Sequence, residues 1–154
     1  MTALEGGCAC GAVRYRLTDR PMFVNCCHCK DCQRQTGTAF VINAIIEADR
    51  VETSGETHFT RMPTDSGSPH DVYRCTQCQT ALWSTYGGRN EVRFIRVGTL
   101  DDPGAVPPDA HIFTRSKLPW VNLTAEPHVY EVFYSTKERW PAESQARRAA
   151  AMAG

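Results

Sequence analysis

Eight cysteines in a chain of 154 residues are the groups of this sequence best suited to chemistry. Thiolates two or three residues apart can reach one tetrahedral metal ion, and zinc is the usual occupant of such sites. Disulfides are the alternative. We predict zinc, because residues 1–7 contain no export signal and reducing compartments keep thiols free. The cysteines form three tight groups, which are Cys8 with Cys10; Cys26, Cys27, Cys29 and Cys32; and Cys75 with Cys78.

The direction of side chains along extended segments assigns these cysteines to two sites. Residues i and i+2 of a strand share a face, and residues i and i+1 do not. Cys27 and Cys29 therefore point together, and Cys26 and His28 point the other way. Residues 75–78 form a C-x-x-C knuckle, and residues 29–32 repeat that spacing. The simplest partition is a closed site of Cys8, Cys10, Cys75 and Cys78 and an open site of Cys27, Cys29 and Cys32.

The two sites predict different roles. Four protein ligands complete a tetrahedron and make a structural zinc, whereas three leave a position for water or substrate. We therefore predict one structural zinc and one labile catalytic zinc, with Cys27, Cys29 and Cys32 as the catalytic residues. An alternative is that Cys26 or His28 supplies a fourth ligand, which would require a bulge or twist. We favour Cys26 as a small buried apolar residue.

A zinc ion with three thiolate ligands suits thiol chemistry. Such an ion activates water less well than one held by three histidines. It can hold an incoming thiol in the deprotonated form, which favours addition to a small carbonyl group.

Short β-favouring segments separated by turn residues must position these groups. We predict a mainly β single domain over residues 1–135, with one short helical turn at Lys30–Gln35. Residues 136–154 form a C-terminal tail, in which Thr136–Met152 is helical or frayed and the Arg147-Arg148 pair is solvated. The predicted strands are Ala12–Leu17, Phe23–Cys27, Ala39–Ile46, Val72–Cys75, Ala81–Ser84, Val92–Val97 and His128–Tyr134.

The charge balance excludes some functions. Seventeen Lys and Arg residues offset seventeen Asp and Glu residues, whereas nucleic-acid binding needs clustered positive charge. No apolar run approaches the roughly 20 residues of a membrane span. We predict a soluble cytoplasmic protein with no nucleic-acid or membrane partner.

Several segments around the cysteines form a recognisable set, which is GGCACGAVRY at 6–15, CHCKDCQRQTG at 27–37, YRCTQC at 73–78, VGTLDDP at 97–103, HIF at 111–113 and Trp120. In this order they resemble the glutathione-dependent formaldehyde-activating enzyme family, also called the GFA domain family. The sequence departs from the family pattern at Gln79, where a glycine usually follows the knuckle, and in the additional thiol of Cys26. A residue with positive φ at position 79 suits glycine and strains glutamine.

The resemblance implies a fold, a cofactor and an activity. In similar proteins the first and last cysteine pairs hold a structural zinc and the middle three hold a catalytic zinc, on a Mss4-like β scaffold. The implied reaction adds glutathione to formaldehyde to give S-(hydroxymethyl)glutathione, and its reverse is a carbon–sulfur lyase reaction. The alternatives are a non-catalytic zinc module that binds protein, and a glutathione carrier or sensor.

Glutathione, or another small thiol, and a small carbonyl compound are thus the expected partners. The two carboxylates of glutathione need cations near the open site, and apolar side chains would form the wall. The candidate substrate-binding residues are Arg34, Arg89, Arg115, Lys117, Trp83, Tyr86 and Trp120.

Overall fold

Two β-sheets carry the cysteine-bearing segments in the computed structural model, which describes residues 3–154. Met1 and Thr2, the first residues of the predicted domain, lie outside this range. The smaller sheet has the strand order β1-β2-β5, and the larger has the order β10-β3-β4-β9-β8-β7-β6. The strands are β1 (Leu4–Gly7), β2 (Arg14–Leu17), β3 (Phe23–Cys27), β4 (Val41–Glu47), β5 (Val51–Ser54), β6 (Thr57–Met62), β7 (His70–Cys75), β8 (Ala81–Tyr86), β9 (Val92–Arg96) and β10 (Ala110–Ile112).

Helices flank the sheets. The α-helices are α1 (Lys30–Thr36), α2 (Thr136–Arg139) and α3 (Ala142–Ala153). Cys29 caps the N-terminus of α1, and Gly37 ends it in the left-handed conformation. Within residues 3–154, no helix is long and apolar enough to cross a membrane. Single-turn 3-10 helices cover Ala48–Arg50, Val97–Thr99, Pro103–Ala105 and Thr114–Ser116.

The prediction of a mainly β fold is confirmed, and the predicted elements can be compared one by one. Phe23–Cys27 has the predicted bounds, and most other predicted strands differ only at their ends. The helical tail is present as α2 and α3. The predicted strand His128–Tyr134 is wrong, because its neighbour β10 has only three residues and the segment forms a single bridge, from Val129 to His111. The prediction missed β1, β5, β6 and β10.

The central strands of the large sheet are buried on both faces. Ile46 of β4 and Ile95 of β9 pack with Tyr15 and Leu17 of the small sheet in one core. Ile45, the neighbour of Ile46, lies in a second core on the opposite face. Strand alternation explains this arrangement, because successive side chains of β4 point to opposite faces. The second core also includes Cys27, Cys32, Phe23, Val92, Tyr134 and Trp140.

An ion pair ties the last helix to the large sheet. Arg147 of α3 donates two hydrogen bonds to the carboxylate of Glu47, at 2.7 and 2.6 Å. The side chains are 14% and 6% exposed, so the prediction of a solvated Arg147 is wrong. Burial alone would raise the pKa of Glu47, but the hydrogen bonds from Arg147 outweigh burial and hold the pKa below its usual value.

We expect Arg147→Met to destabilise the fold by about 3 kcal/mol at pH 7, because it removes both close hydrogen bonds from a buried carboxylate and leaves only the longer ion pair with Arg50 at 3.5 Å. A carboxylate with a lowered pKa stabilises the fold above its unfolded pKa, and this contribution is lost as the pH falls through the folded pKa. The difference between variant and wild type should therefore shrink below about pH 4. Urea unfolding across this pH range measures it. Arg16→Met, which breaks the exposed pair with Glu52, is the control and should change stability by less than about 1 kcal/mol. An equal loss in the two variants would contradict the assignment.

Candidate active site and metal centres

The four cysteines assigned to the closed site lie together. Their sulfur atoms are all within 4.8 Å of one another, with Cys10 Sγ 3.5 Å from Cys8 Sγ and 3.8 Å from Cys75 Sγ. The turn after β1 and the knuckle after β7 supply one pair each. Backbone N–H groups of Val13 and Gln77 donate to Cys8 and Cys75, at 3.2 and 3.3 Å. Such bonds stabilise thiolates, so this donor set fits a structural zinc.

Gln79 adopts the backbone conformation that the sequence indicates at the end of the knuckle. Its φ is 66°, a left-handed value that costs a residue with a Cβ roughly 1–2 kcal/mol. Three hydrogen bonds hold the turn. The Gln79 N–H donates to the Cys75 carbonyl at 3.0 Å, its side-chain amide donates to the Thr76 carbonyl at 3.2 Å, and its side-chain oxygen lies 2.7 Å from His58 Nε2. The turn therefore keeps the geometry of the knuckle without glycine.

Cys27, Cys29 and Cys32 form a second group, with their sulfur atoms also within 4.8 Å of one another. Cys27 ends β3, Cys29 caps α1, and Cys32 lies one turn into α1. The backbone N–H of Cys32 donates to Cys29 Sγ at 3.3 Å. This strand-to-helix connection turns the three thiols toward one point.

The protonation equilibria of this group are suited to a bound cation. Hydrogen bonds from the thiols of Cys27 and Cys32 hold the pKa of Cys29 well below its usual range. The same contacts raise the pKa of Cys27, to about 12, and raise that of Cys32 further. Crowding therefore opposes more than one negative charge among the three sulfurs. A divalent cation at the centre would allow all three to ionise, so the donor set fits zinc.

Cys26 and His28 lie on the opposite side of β3, as strand alternation predicts. His28 Nε2 is 3.6 Å from Cys26 Sγ and 3.0 Å from Nδ1 of His111 on β10. The three side chains are close enough to share an ion. However, the two imidazoles already bond to each other, and the three residues are between 0 and 7% exposed. We interpret them as a buried hydrogen-bonded group. Neither Cys26 nor His28 joins the open group.

The open cysteine group lies on the wall of a cavity of about 550 Å³. Alternate residues of the large sheet face this cavity, including Asn25 and Cys27 of β3 and Asn43 and Ile45 of β4. A volume of this size is within the range of sites for drug-sized ligands. Charged side chains around it are four cations, Lys30, Arg89, Arg115 and Arg148, and two carboxylates, Asp31 and Asp65.

A buried histidine, His70, lines the same cavity. Arg96 Nη2 donates to Gln35 Oε1 at 3.2 Å, and Gln35 Nε2 lies 3.2 Å from His70 Nδ1. A guanidinium group only donates, so the amide oxygen of Gln35 faces Arg96 and the amide nitrogen donates to Nδ1. A neutral imidazole that accepts at Nδ1 carries its proton on Nε2. His70 Nε2 is buried and has no partner among residues 3–154.

The environment keeps His70 neutral and fixed in place. Burial lowers the pKa of His70 to about 4, and the charge of Arg96 adds to the effect. The ring stacks on Tyr86 with a centroid separation of 4.0 Å and an interplanar angle of 8°. The Cys29 thiolate is close enough to influence the pKa of His70. His70 is therefore a fixed hydrogen-bond donor beside the open cysteine group.

The structure distributes the predicted substrate-binding residues over several places. Tyr86, Arg89 and Arg115 line the cavity. Trp83 and Trp120 do not line the cavity. Trp83 is 3% exposed and lies in the first core, and Trp120 is 73% exposed. The remaining two are Arg34, in the last turn of α1, and Lys117, whose ammonium group donates to the Val121 carbonyl at 2.7 Å.

Sequence reasoning missed His70 and the tail residues of the cavity. No motif surrounds His70, and its role depends on Gln35 and Arg96, which are distant in the chain. Apolar residues spaced along the tail, such as Trp140 and Met152, were a weak signal for packing against the domain.

Fold and site together define a mainly β protein with two cysteine groups that fit thiophilic metal ions, one of which opens on a substrate-sized cavity. The sequence model of the family described as glutathione-dependent formaldehyde-activating enzyme matches residues 3–116. The chain belongs to this family.

The individual relatives have low sequence identity to this chain. A Halomonas elongata protein, provisionally named a glutathione-dependent formaldehyde-activating enzyme, is 29% identical over 126 residues, which are 78% of this chain and 80% of that protein. A crystal structure of a Rhodobacter sphaeroides protein aligns with 82% of this chain and 98% of its own, with a TM-score of 0.48 and 16% identity.

Proposed function

We propose that this protein catalyses the reversible addition of glutathione, or a similar small thiol, to formaldehyde or another small carbonyl compound. In the reverse direction it is a carbon–sulfur lyase. The observation that carries this proposal is the opening of the three-cysteine group onto a cavity that could hold a tripeptide. The reaction belongs to the domain of residues 1–135, and the tail of residues 136–154 completes the wall. Its free thiols suit a reducing compartment such as the cytoplasm.

Cys27, Cys29 and Cys32 would hold the catalytic zinc, and Cys8, Cys10, Cys75 and Cys78 the structural zinc. When bound at the open group, zinc would lower the pKa of a substrate thiol, so that the thiol is nucleophilic at neutral pH. The cysteine ligands, six of which are buried or half-buried with Cys10 alone exposed, keep their positions through backbone hydrogen bonds.

The charges around the cavity are complementary in sign to those of glutathione. Glutathione carries two carboxylates and one ammonium group at neutral pH. Arg89, Arg115, Arg148 and Lys30 can receive the carboxylates, and Asp31 or Asp65 can receive the ammonium group. Arginine suits this role because its planar group binds a carboxylate through two hydrogen bonds.

The chemistry needs one donor besides the thiol. The thiol sulfur forms a bond to the carbonyl carbon, and the π electrons of the carbonyl move to its oxygen. The proton lost from the thiol ends on that oxygen, which gives the hydroxymethyl group. His70 Nε2–H would donate a hydrogen bond to the oxygen while its charge develops, as a neutral imidazole fixed in one tautomer can do.

Exchange NMR with ¹³C-labelled formaldehyde and glutathione tests the proposal. The uncatalysed reaction sets the baseline. We expect the zinc-loaded protein to speed exchange between free formaldehyde and the adduct without changing their equilibrium ratio. Binding of glutathione with no acceleration would identify a carrier or sensor. Absence of glutathione binding would favour a protein-binding zinc module.

For His70, we expect His70→Phe to lower kcat/KM about 100-fold, because removal of one donor to a developing oxyanion typically costs this much. The phenyl ring keeps the stack on Tyr86, so the affinity for glutathione should change less than about twofold. His128→Phe is the control, since the His128 ring contacts Arg139 and lies outside the cavity. Gln35→Leu, which frees the tautomer of His70, should give a smaller loss. Wild-type activity in His70→Phe would remove His70 from the mechanism.

A further inference from the structure

Much of the cavity wall is apolar. Ile45, Val92 and Phe94 line it from the large sheet, Trp140 and Met152 line it from the tail, and Phe133 lines it from the segment just before the tail. We call these six residues the apolar chamber. Formaldehyde has no substituent to place there, and glutathione is polar along most of its length.

The tail that completes the chamber is firmly attached. Trp140 Nε1 donates to the Tyr134 hydroxyl at 3.0 Å, and that hydroxyl donates to Asn25 Oδ1 at 2.9 Å. Trp140 also stacks on Phe23 of β3, with ring centroids 5.4 Å apart. Both Asn25 and Phe23 belong to the strand that ends in Cys27, so the tail has a fixed position relative to the open cysteine group.

The chamber draws on two parts of the chain. The family match ends at residue 116, so Ile45, Val92 and Phe94 lie within it, and Phe133, Trp140 and Met152 lie beyond it. The cysteines of both groups lie within the matched part. Half of the apolar chamber is therefore built from residues that the family model does not cover.

We infer that the carbonyl substrate is an aldehyde with an apolar substituent, aromatic or medium-length aliphatic, that packs in the apolar chamber. This inference rests on the proposed function, and it names the substrate class of the same site. The bonds and the proton balance as in the proposed addition of a thiol to formaldehyde. The thiol sulfur bonds to the aldehyde carbon, the thiol proton ends on the oxygen, and the substituent R of R–CHO occupies the chamber.

Stable thioethers of glutathione test the inference without turnover. S-hexylglutathione and S-methylglutathione share every polar group and differ only in the apolar arm. Calorimetry with the zinc-loaded protein should show that S-hexylglutathione binds at least tenfold more tightly, because the longer arm buries additional methylene groups. Phe133→Ala should weaken the hexyl compound several-fold and leave the methyl compound unchanged.

Phe59→Ala is the matched control. Phe59 is 53% exposed and Phe133 is 49% exposed, and each packs on a tyrosine, but only Phe133 lines the cavity. Phe59→Ala should change neither affinity. Equal affinities of the two thioethers, or equal effects of the two variants, would overturn the inference and leave the proposed function standing. If neither thioether nor glutathione binds, the proposed function fails and the inference fails with it.

Discussion

Cys29→Ser should lose the more labile zinc and its affinity for glutathione while keeping its fold. Cys29 supplies the central sulfur of the open group, whose pKa is lowered by both neighbouring thiols. Its sulfur also caps α1 by accepting from the Cys32 N–H. Serine is among the best N-cap residues, so this substitution removes the thiolate but preserves the helix, whereas alanine would cost about 1 kcal/mol of helix stability.

Metal content after dialysis, circular dichroism and calorimetric titration with glutathione measure these effects together. Cys26→Ser is the matched control, because Cys26 is a buried cysteine of β3 on the face opposite to Cys27. We expect it to retain both metal content and glutathione affinity. Equal glutathione affinity in wild type and Cys29→Ser would show that the thiol binds elsewhere. Loss of zinc from Cys26→Ser would show that the group of Cys26, His28 and His111 holds metal.

In contrast to Cys29→Ser, Cys75→Ala should prevent the protein from folding. Cys75 is fully buried and belongs to the group that joins the turn after β1 to the knuckle after β7. Zinc binding contributes about 10–16 kcal/mol to the folding of small zinc domains, and a typical domain has a net stability of only about 5–15 kcal/mol. The loss of this site should therefore exceed the margin of stability.

We expect Cys75→Ala to be largely insoluble, and any soluble fraction to lack the cooperative thermal transition of wild type. Gln77→Ala in the same knuckle is the control, because Gln77 is exposed and only its backbone contacts a cysteine. It should behave like wild type. A soluble Cys75→Ala protein with an unchanged melting profile and no metal would contradict a structural role for the closed site.

A feature of the site could be predicted from the sequence where it depends on residues that are close together in the chain. The grouping of the cysteines depends on strand alternation and on the spacing of the knuckle, which are local properties, and the structure brings the same thiols together. The cavity depends on contacts across the whole chain. His70 and Gln35 are 35 residues apart, and Tyr134 and Asn25 are 109 apart. No local pattern encodes such pairs, so His70 and the tail wall were not predictable.

Arg147 illustrates the same limit. A pair of arginines in an Ala- and Glu-rich helix has the composition of a solvent-exposed face. Arg147 is buried because it pairs with Glu47, which is 100 residues away. Sequence composition reports the average environment of a residue type, and a single long-range ion pair can reverse it.

The position of Cys27 on β3 makes the open cysteine group sensitive to errors in folding. Because side chains alternate, a slip of β3 by one residue would turn Cys26 and His28 toward the cavity and Cys27 away from it. The donors at the site would then change from sulfur to a mixture of sulfur and nitrogen. β3 is held in register by antiparallel β4 on one side and parallel β10 on the other, and Asn25 is held from the tail by Tyr134. These contacts stabilise the register of β3. Correct pairing of the sheet therefore determines which side chains, Cys27 or Cys26 and His28, face the cavity as candidate metal ligands.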